Sequence, residues 1–454
     1  MMTRRNFLKT TSAVTASMLL PGRAAAAPVD FSRVQFDPGV YANNNAQTIL
    51  IFLYGGPSEL GGNLTNIEEI KAASQSDYDG YFRGITPTAN GFWQEAGGAA
   101  MEELLAGGDM NIFRTCYSRI RDEENNRSHG RCVSQNQRGV SNDEDTSGIV
   151  SILANTLYQK GMINENTVLP FITMEGESTF FAAPDFSLAS HLKPTAFSAD
   201  LSNPYERRYA NQWYYYTSEE RTADPDHYSE SRAALDAALD TLAQSQNKVG
   251  KIRENFDKRG SLDAFIASLQ SAQTPEGVVY PENNGFARKL ETAVKILAKN
   301  PDTKVISLGS GGLGGWDDHN EARDYPVRME TLFEAIKAAM AHIKAEGKDG
   351  NINIMVWGDF GRNVNLNSAL GWDHGNLQNL YLFGGKNYFN PVGIVGETAL
   401  PGVGSNHRMY LEPKAGSYWF EPFSIAATLY KIYGITNPEY LTGGFGEIEA
   451  GLLV

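Results

Sequence analysis

The 454-residue chain carries 53 acidic against 39 basic side chains, a net charge of −14, and 41% of its residues are hydrophobic. That acid excess repels phosphate backbones and anionic lipid, so it argues against nucleic acid and membrane surfaces as partners. The apolar share can build a large core, while residues 27–454 hold no apolar run of the roughly 20 residues that a spanning helix needs.

The chain opens Thr3-Arg4-Arg5-Asn6-Phe7-Leu8-Lys9, the pattern of a twin-arginine export signal. A short uncharged stretch, Thr10 to Leu20, leads to the small residues Ala24-Ala25-Ala26. Cleavage is expected after Ala26, because cutting one residue later would put Pro28 at a position that peptidases dislike. The signal carries four basic and no acidic residues, so its removal takes the net charge from −14 to −18. The remainder, residues 27–454, is expected to work as one domain in the periplasm or beyond, without a membrane anchor.

Residues 27–46 form a polar lead-in. Thr48 to Tyr54 is a continuous apolar run that stops at Gly55-Gly56-Pro57, which predicts a buried strand. Residues 111–117 predict a second strand. Residues 123–148 are polar and predict a loop holding Arg127, His129, Arg131 and Arg138. Cys116 and Cys132 are the only cysteines; in an oxidising compartment they are expected to pair. A helical insertion is expected at about 200–300, with the aromatic stretch Tyr209 to Tyr216 serving packing.

The last third alternates strand and helix. Thr303 to Leu308 predicts a strand, and Met329, Leu332, Phe333, Ile336, Met340 and Ile343 recur at helical spacing up to Gly347. Asn351 to Trp357 and Leu380 to Phe383 predict two more strands. This alternation argues for βαβ units in an α/β fold with a doubly wound, mostly parallel sheet.

Ligands bind such sheets beyond the carboxyl ends of the strands. The segments there are Gly55-Gly56-Pro57-Ser58-Glu59, Gly314 to His319, Asp359 to Arg362, and, ahead of the last strand, Gly371 to Gly375. Asp317, His319, Asp359 and His374 are therefore candidate ligands for a divalent metal: Zn, Mn, Mg or Ca. Arg362 could hold a tetrahedral anion with two hydrogen bonds. Read as structure alone, Asp359 could cap a helix and Arg362 could pair with it. Gly309 to Gly314 matches GxGxxG, but Trp316-Asp317-Asp318-His319 follows where a dinucleotide-binding helix should begin.

Gly314 to His319, Gly358 to Arg362, Gly371 to Gly375 and Gly384-Gly385 resemble, in order, the motifs of the exported family catalogued as domain of unknown function 1501. Gly55-Gly56-Pro57-Ser58 resembles that family's GGPS segment, and Ser128-His129 through Gly139 its histidine-containing loop. The family is distantly similar to the alkaline phosphatase and sulfatase superfamily. The resemblance implies an alkaline-phosphatase-like fold with one or two metals, Asp317, His319 and His374 holding the first and Asp359 a second. It also implies Ser58 as the remaining nucleophile candidate and a small anionic phosphate or sulfate ester as substrate. The chain departs from the family at Glu59, where the family has His, at Asp359 in place of Glu, and at Asp318 in place of Thr. The acids that follow the family's His are missing. A non-catalytic exported binding or assembly protein that keeps the fold is the alternative reading.

Overall fold

The computed structural model describes residues 29–174, 264–404 and 408–454, apart from residue 75 and residues 143–145, with a few positions between 181 and 245. The export signal, the tyrosine-rich stretch and most of the expected helical insertion lie outside the described residues.

Among the described residues, eight strands form one sheet: β1 (Gln47–Leu53), β2 (Met110–Tyr117), β3 (Phe171–Thr173), β4 (Thr195–Ala196), β5 (Val305–Gly309), β6 (Ile352–Gly358), β7 (Leu377–Gly384) and β8 (Ile394–Val395). Their order is β4-β3-β5-β1-β6-β7-β2-β8. The run β4-β3-β5-β1-β6 is parallel throughout, with Phe52 opposite Gly309 and Leu53 opposite Gly358. β7 is antiparallel to both β6 and β2.

The parallel strands are largely apolar and β1, β3, β5 and β6 are buried along their whole length, because both sheet faces are covered. Ile49, Ile51 and Leu53 of β1 face one cluster, and Leu50 and Phe52 face the other. Three helices cover the first face: α1 (Gly98–Ala106), α4 (Gly285–Lys299) and α5 (Tyr325–Ala345). Two more cover the opposite face, α3 (Ile149–Gln159) and α6 (Phe423–Ile432). This is a doubly wound α/β layer structure. Among the described residues, no helix is long and apolar enough to cross a membrane.

The structure corrects three local expectations. β7 is antiparallel because residues 359–376 contain no crossover helix, and a parallel return would need one. Residues 123–148 are not all loop: His129–Arg138 forms helix α2. Its buried Gln135, Asn136 and Gln137 give it no apolar stripe, so periodicity could not reveal it. Cys116 and Cys132 are both buried free thiols instead of a disulfide. Cys116 packs in the strand core with Phe113 and Phe420, while Cys132 lies on α2. Burial pushes both thiols above their usual pKa.

Candidate metal centre

Strand direction brings distant segments to one edge. β5, β1 and β6 run parallel, so the residues after each emerge together. β7 runs the other way, so the residues before it, Asp373 and His374, arrive at the same edge. β2 is antiparallel to β7 and delivers the segment leading to His129 there as well. A bridge between Arg362 and His374, with Asn363 N–H donating to the Asp373 carbonyl at 2.8 Å, fixes the last two segments together.

Helix α2 is locked to the end of β6. The buried Asn136 amide donates to the carbonyls of Gly358 and Asp359 at 2.8 and 2.9 Å. Arg121 also donates to the Asp359 carbonyl, at 3.1 Å, and to Asn136 Oδ1 at 2.6 Å. These bonds place His129, the first residue of α2, directly over Asp359.

Ligand atoms of His129, Asp317, His319 and His374 all lie within 4.8 Å of one another. His319 Nε2 and His374 Nε2 are 2.6 Å apart. Asp317 Oδ1 lies 3.2 Å from His129 Nε2 and 3.4 Å from His319 Nε2. His129 Nε2 is buried and has no hydrogen-bond partner.

The outer nitrogens explain why the inner ones converge. His129 Nδ1 meets Asp359 Oδ2 at 2.8 Å, His319 Nδ1 meets Asp373 Oδ1 at 3.2 Å, and His374 Nδ1 meets the Arg127 carbonyl at 2.5 Å. Each of these partners accepts, so each Nδ1 carries the proton and each Nε2 presents a lone pair. Two lone pairs at 2.6 Å repel unless a cation or a proton lies between them. Metal-ligating histidines hold their outer N–H on carboxylates or carbonyls in this way. The donor set, three imidazoles and one carboxylate, suits zinc and other borderline divalent ions.

Burial and neighbouring charges set the protonation preference of each group. Burial, with help from the Arg362 charge, lowers His374 to about 4, so its imidazole is neutral. The Asp359 hydrogen bond raises His129. Burial pushes Asp317 up, but the Arg362 hydrogen bond and charge outweigh it and hold this carboxyl below the usual range. Burial raises Asp359 despite its His129 bond.

The expected residues take different places. Asp317, His319 and His374 come together. Asp359 stands behind His129 and also accepts from Gly55 N–H at 3.2 Å. Arg362 is wholly enclosed and spends its guanidinium on the carbonyls of Gly55, Gly56, Trp316 and Trp372 and on Asp317 Oδ1. It presents no open edge to an anion. Ser58 Oγ accepts from Leu60 N–H at 3.3 Å and caps a one-turn 3-10 helix. Among the described residues, no hydrogen bond joins Ser58 to the histidines. Strand ends could not point to His129, which belongs to a helix, and Asp373 is masked in the sequence by its neighbour His374. The Ser128-His129 resemblance is the available signal for the former.

Glu59 is buried beneath this edge. Its Oε2 accepts from Arg362 N–H at 2.9 Å, and its Oε1 has no partner. Burial raises its pKa to about 8. A folded-state value above the unfolded one gives stability that is full below about pH 4.5 and is lost as pH rises toward 8. Each tenfold change in proton affinity between the folded and unfolded chain is worth about 1.4 kcal/mol. Glu59→Gln should therefore match wild type near pH 4.5 and exceed it by several kcal/mol near pH 8.5. Urea melts at both pH values test this, and a variant less stable at pH 8.5 contradicts it.

A family model described as the twin-arginine translocation pathway signal sequence matches residues 1–21. The chain thus carries a signal that directs it across the membrane, to the periplasm or beyond. No curated protein matches the chain in sequence. Among solved structures, it is similar to Ps i-CgsB in complex with k-i-k-neocarrahexaose, at 11% identity and a TM-score of 0.40, over 88% of this chain and 74% of that one. It is similar to alkaline phosphatase from the Antarctic bacterium TAB5, at 13% identity and 0.35, over 85% and 98%. It is also similar to the C-terminal periplasmic domain of EcEptC from Escherichia coli in complex with Zn, at 8% identity and 0.40, over 95% and 96%. These similarities concern the fold.

Proposed function

We propose that this exported protein binds one divalent metal ion through His129, Asp317, His319 and His374. The observation that carries this reading is the convergence of three Nε2 atoms whose Nδ1 partners are all acceptors. A divalent ion held there would polarise an ester oxygen and acidify a water molecule. The chain's own residues supply the frame. Asp359, Asp373 and the Arg127 carbonyl orient the imidazoles and keep the proton on each Nδ1, and Arg362 anchors Asp317.

The ester hydrolase reading, with phosphate or sulfate esters as substrates, rests on the motif resemblance. A half-exposed Asp317 and partly exposed histidines support it, because the centre opens to solvent. The alternative, a non-catalytic exported binding or assembly protein, is supported by Ser58 serving as a cap and by Arg362 having no free edge. Elemental analysis of protein recovered after export should find near-stoichiometric metal. Hydrolysis of a nitrophenyl phosphate or sulfate that disappears on metal removal and returns on reloading supports the hydrolase. Stoichiometric metal without turnover supports the alternative, and absence of metal refutes the centre.

A further inference from the structure

Resting on the metal centre proposed above, we infer that Arg362 is a built-in second cation, so that the site takes one exchangeable metal ion and not a pair. The Arg362 side chain is 0% exposed. Five oxygens from three segments surround its guanidinium. Nε donates to the Gly56 carbonyl at 2.6 Å, and Nη1 to the Trp372 carbonyl at 2.9 Å. Nη2 donates to the Gly55 carbonyl, to the Trp316 carbonyl at 2.9 Å and to Asp317 Oδ1 at 2.9 Å. Four carbonyls and a carboxylate are the oxygen set that a hard divalent cation would otherwise take.

The backbone is shaped for this cradle. Gly55 and Gly56 have φ of +110° and +71°, a region costly for side-chain-bearing residues, and their consecutive carbonyls both reach the guanidinium. A Cβ on Gly55 would lie 2.5 Å from Asp317 N, and one on Gly56 2.6 Å from the Phe360 ring. The glycines thus let the turn after β1 close over Arg362. Asp317 Oδ1 joins the two charges, touching the guanidinium on one side and facing the histidines on the other.

A second metal would need Asp359. Its Oδ2 is spent on His129 Nδ1 and Gly55 N–H, and it is not among the four residues whose ligand atoms converge. Its buried Oδ1 has no hydrogen-bond partner and is the atom of Asp359 that a second ion could claim. That ion would meet the fixed charge of Arg362, which already lies close enough to act on Asp359. Two cations so near in a buried site repel strongly. Arg362 is therefore a positioning residue: it orients Asp317 and fills the second cation's place.

Chelator-stripped whole protein, titrated with Zn2+ and weighed by native mass spectrometry, tests this. One ion per chain is expected, and Mn2+ in its place should give the uncoupled six-line electron paramagnetic resonance spectrum of a single ion. Two ions per chain with an exchange-coupled Mn2+ spectrum would overturn the inference and leave the metal centre standing. No bound ion would overturn both. Arg362→Ala should weaken Mn2+ binding by at least about tenfold, with recovery on adding millimolar guanidinium. Unchanged affinity in folded Arg362→Ala would overturn the positioning role. If that variant does not fold, the wild-type stoichiometry still decides.

Discussion

His319→Ala and Asp317→Ala should each give folded, exported protein that has lost its stoichiometric metal. Each change removes one of four converging donors. Outer-shell partners alone are worth about 10–100-fold in affinity, so loss of a ligand should exceed about 100-fold. The fold should survive, because both side chains are a third or more exposed. The cost in stability should be about 1 kcal/mol for His319→Ala, and about 3 kcal/mol for Asp317→Ala, which leaves the enclosed Arg362 charge without its carboxylate. Asp359→Asn offers a sharper comparison. An asparagine can donate to His129 Nδ1, which would move the imidazole proton to Nε2 and block the lone pair. It should lose about 10–100-fold while leaving all four ligands in place. Because neutral imidazole is the ligand and the Asp359 hydrogen bond raises His129, proton competition in wild type should begin above the ordinary histidine pKa of about 6.5, and binding should weaken as pH falls through that range. Isothermal titration with Zn2+, beside circular dichroism, checks these outcomes. Full metal content in folded His319→Ala would sink the centre.

Arg4→Lys combined with Arg5→Lys should leave nearly all of the protein in the cytoplasm as precursor. The match to the signal model covers residues 1–21, which contain the Arg4-Arg5 pair. Two planar guanidinium forks can be recognised in a way that two ammonium groups cannot reproduce. Cell fractionation and blotting measure the effect, and an unchanged periplasmic yield would contradict it. The metal centre also bears on this result. Native mass spectrometry of the retained precursor shows whether the ion is acquired before export.

Much of the scaffold is legible in the order of residues. β1 and β6 are largely apolar, Ile49 to Leu53 without a break and Ile352 to Trp357 broken only by the hydrogen-bonded Asn353, because a parallel sheet covered on both faces buries every residue. Helix α5 shows itself through its spaced apolar residues. The strand ends then point to Asp317, His319, Asp359 and His374, because local sequence records where a strand stops.

The export route, the buried strands and the small set of chemically capable residues beside them are thus written in the primary structure. How those residues divide the work is settled only by folding. The folded chain recruits His129 from a helix with no apolar stripe and sets Asp359 and Asp373 behind the imidazoles. It also turns Arg362 inward to five oxygens, makes Ser58 a cap, and keeps Cys116 and Cys132 as separate buried thiols. The physical reason is common to all of these. A strand or helix is encoded in the periodic burial of near neighbours. Coordination and hydrogen-bond saturation depend on which distant atoms share a few ångströms, and strand order and direction fix that only in three dimensions.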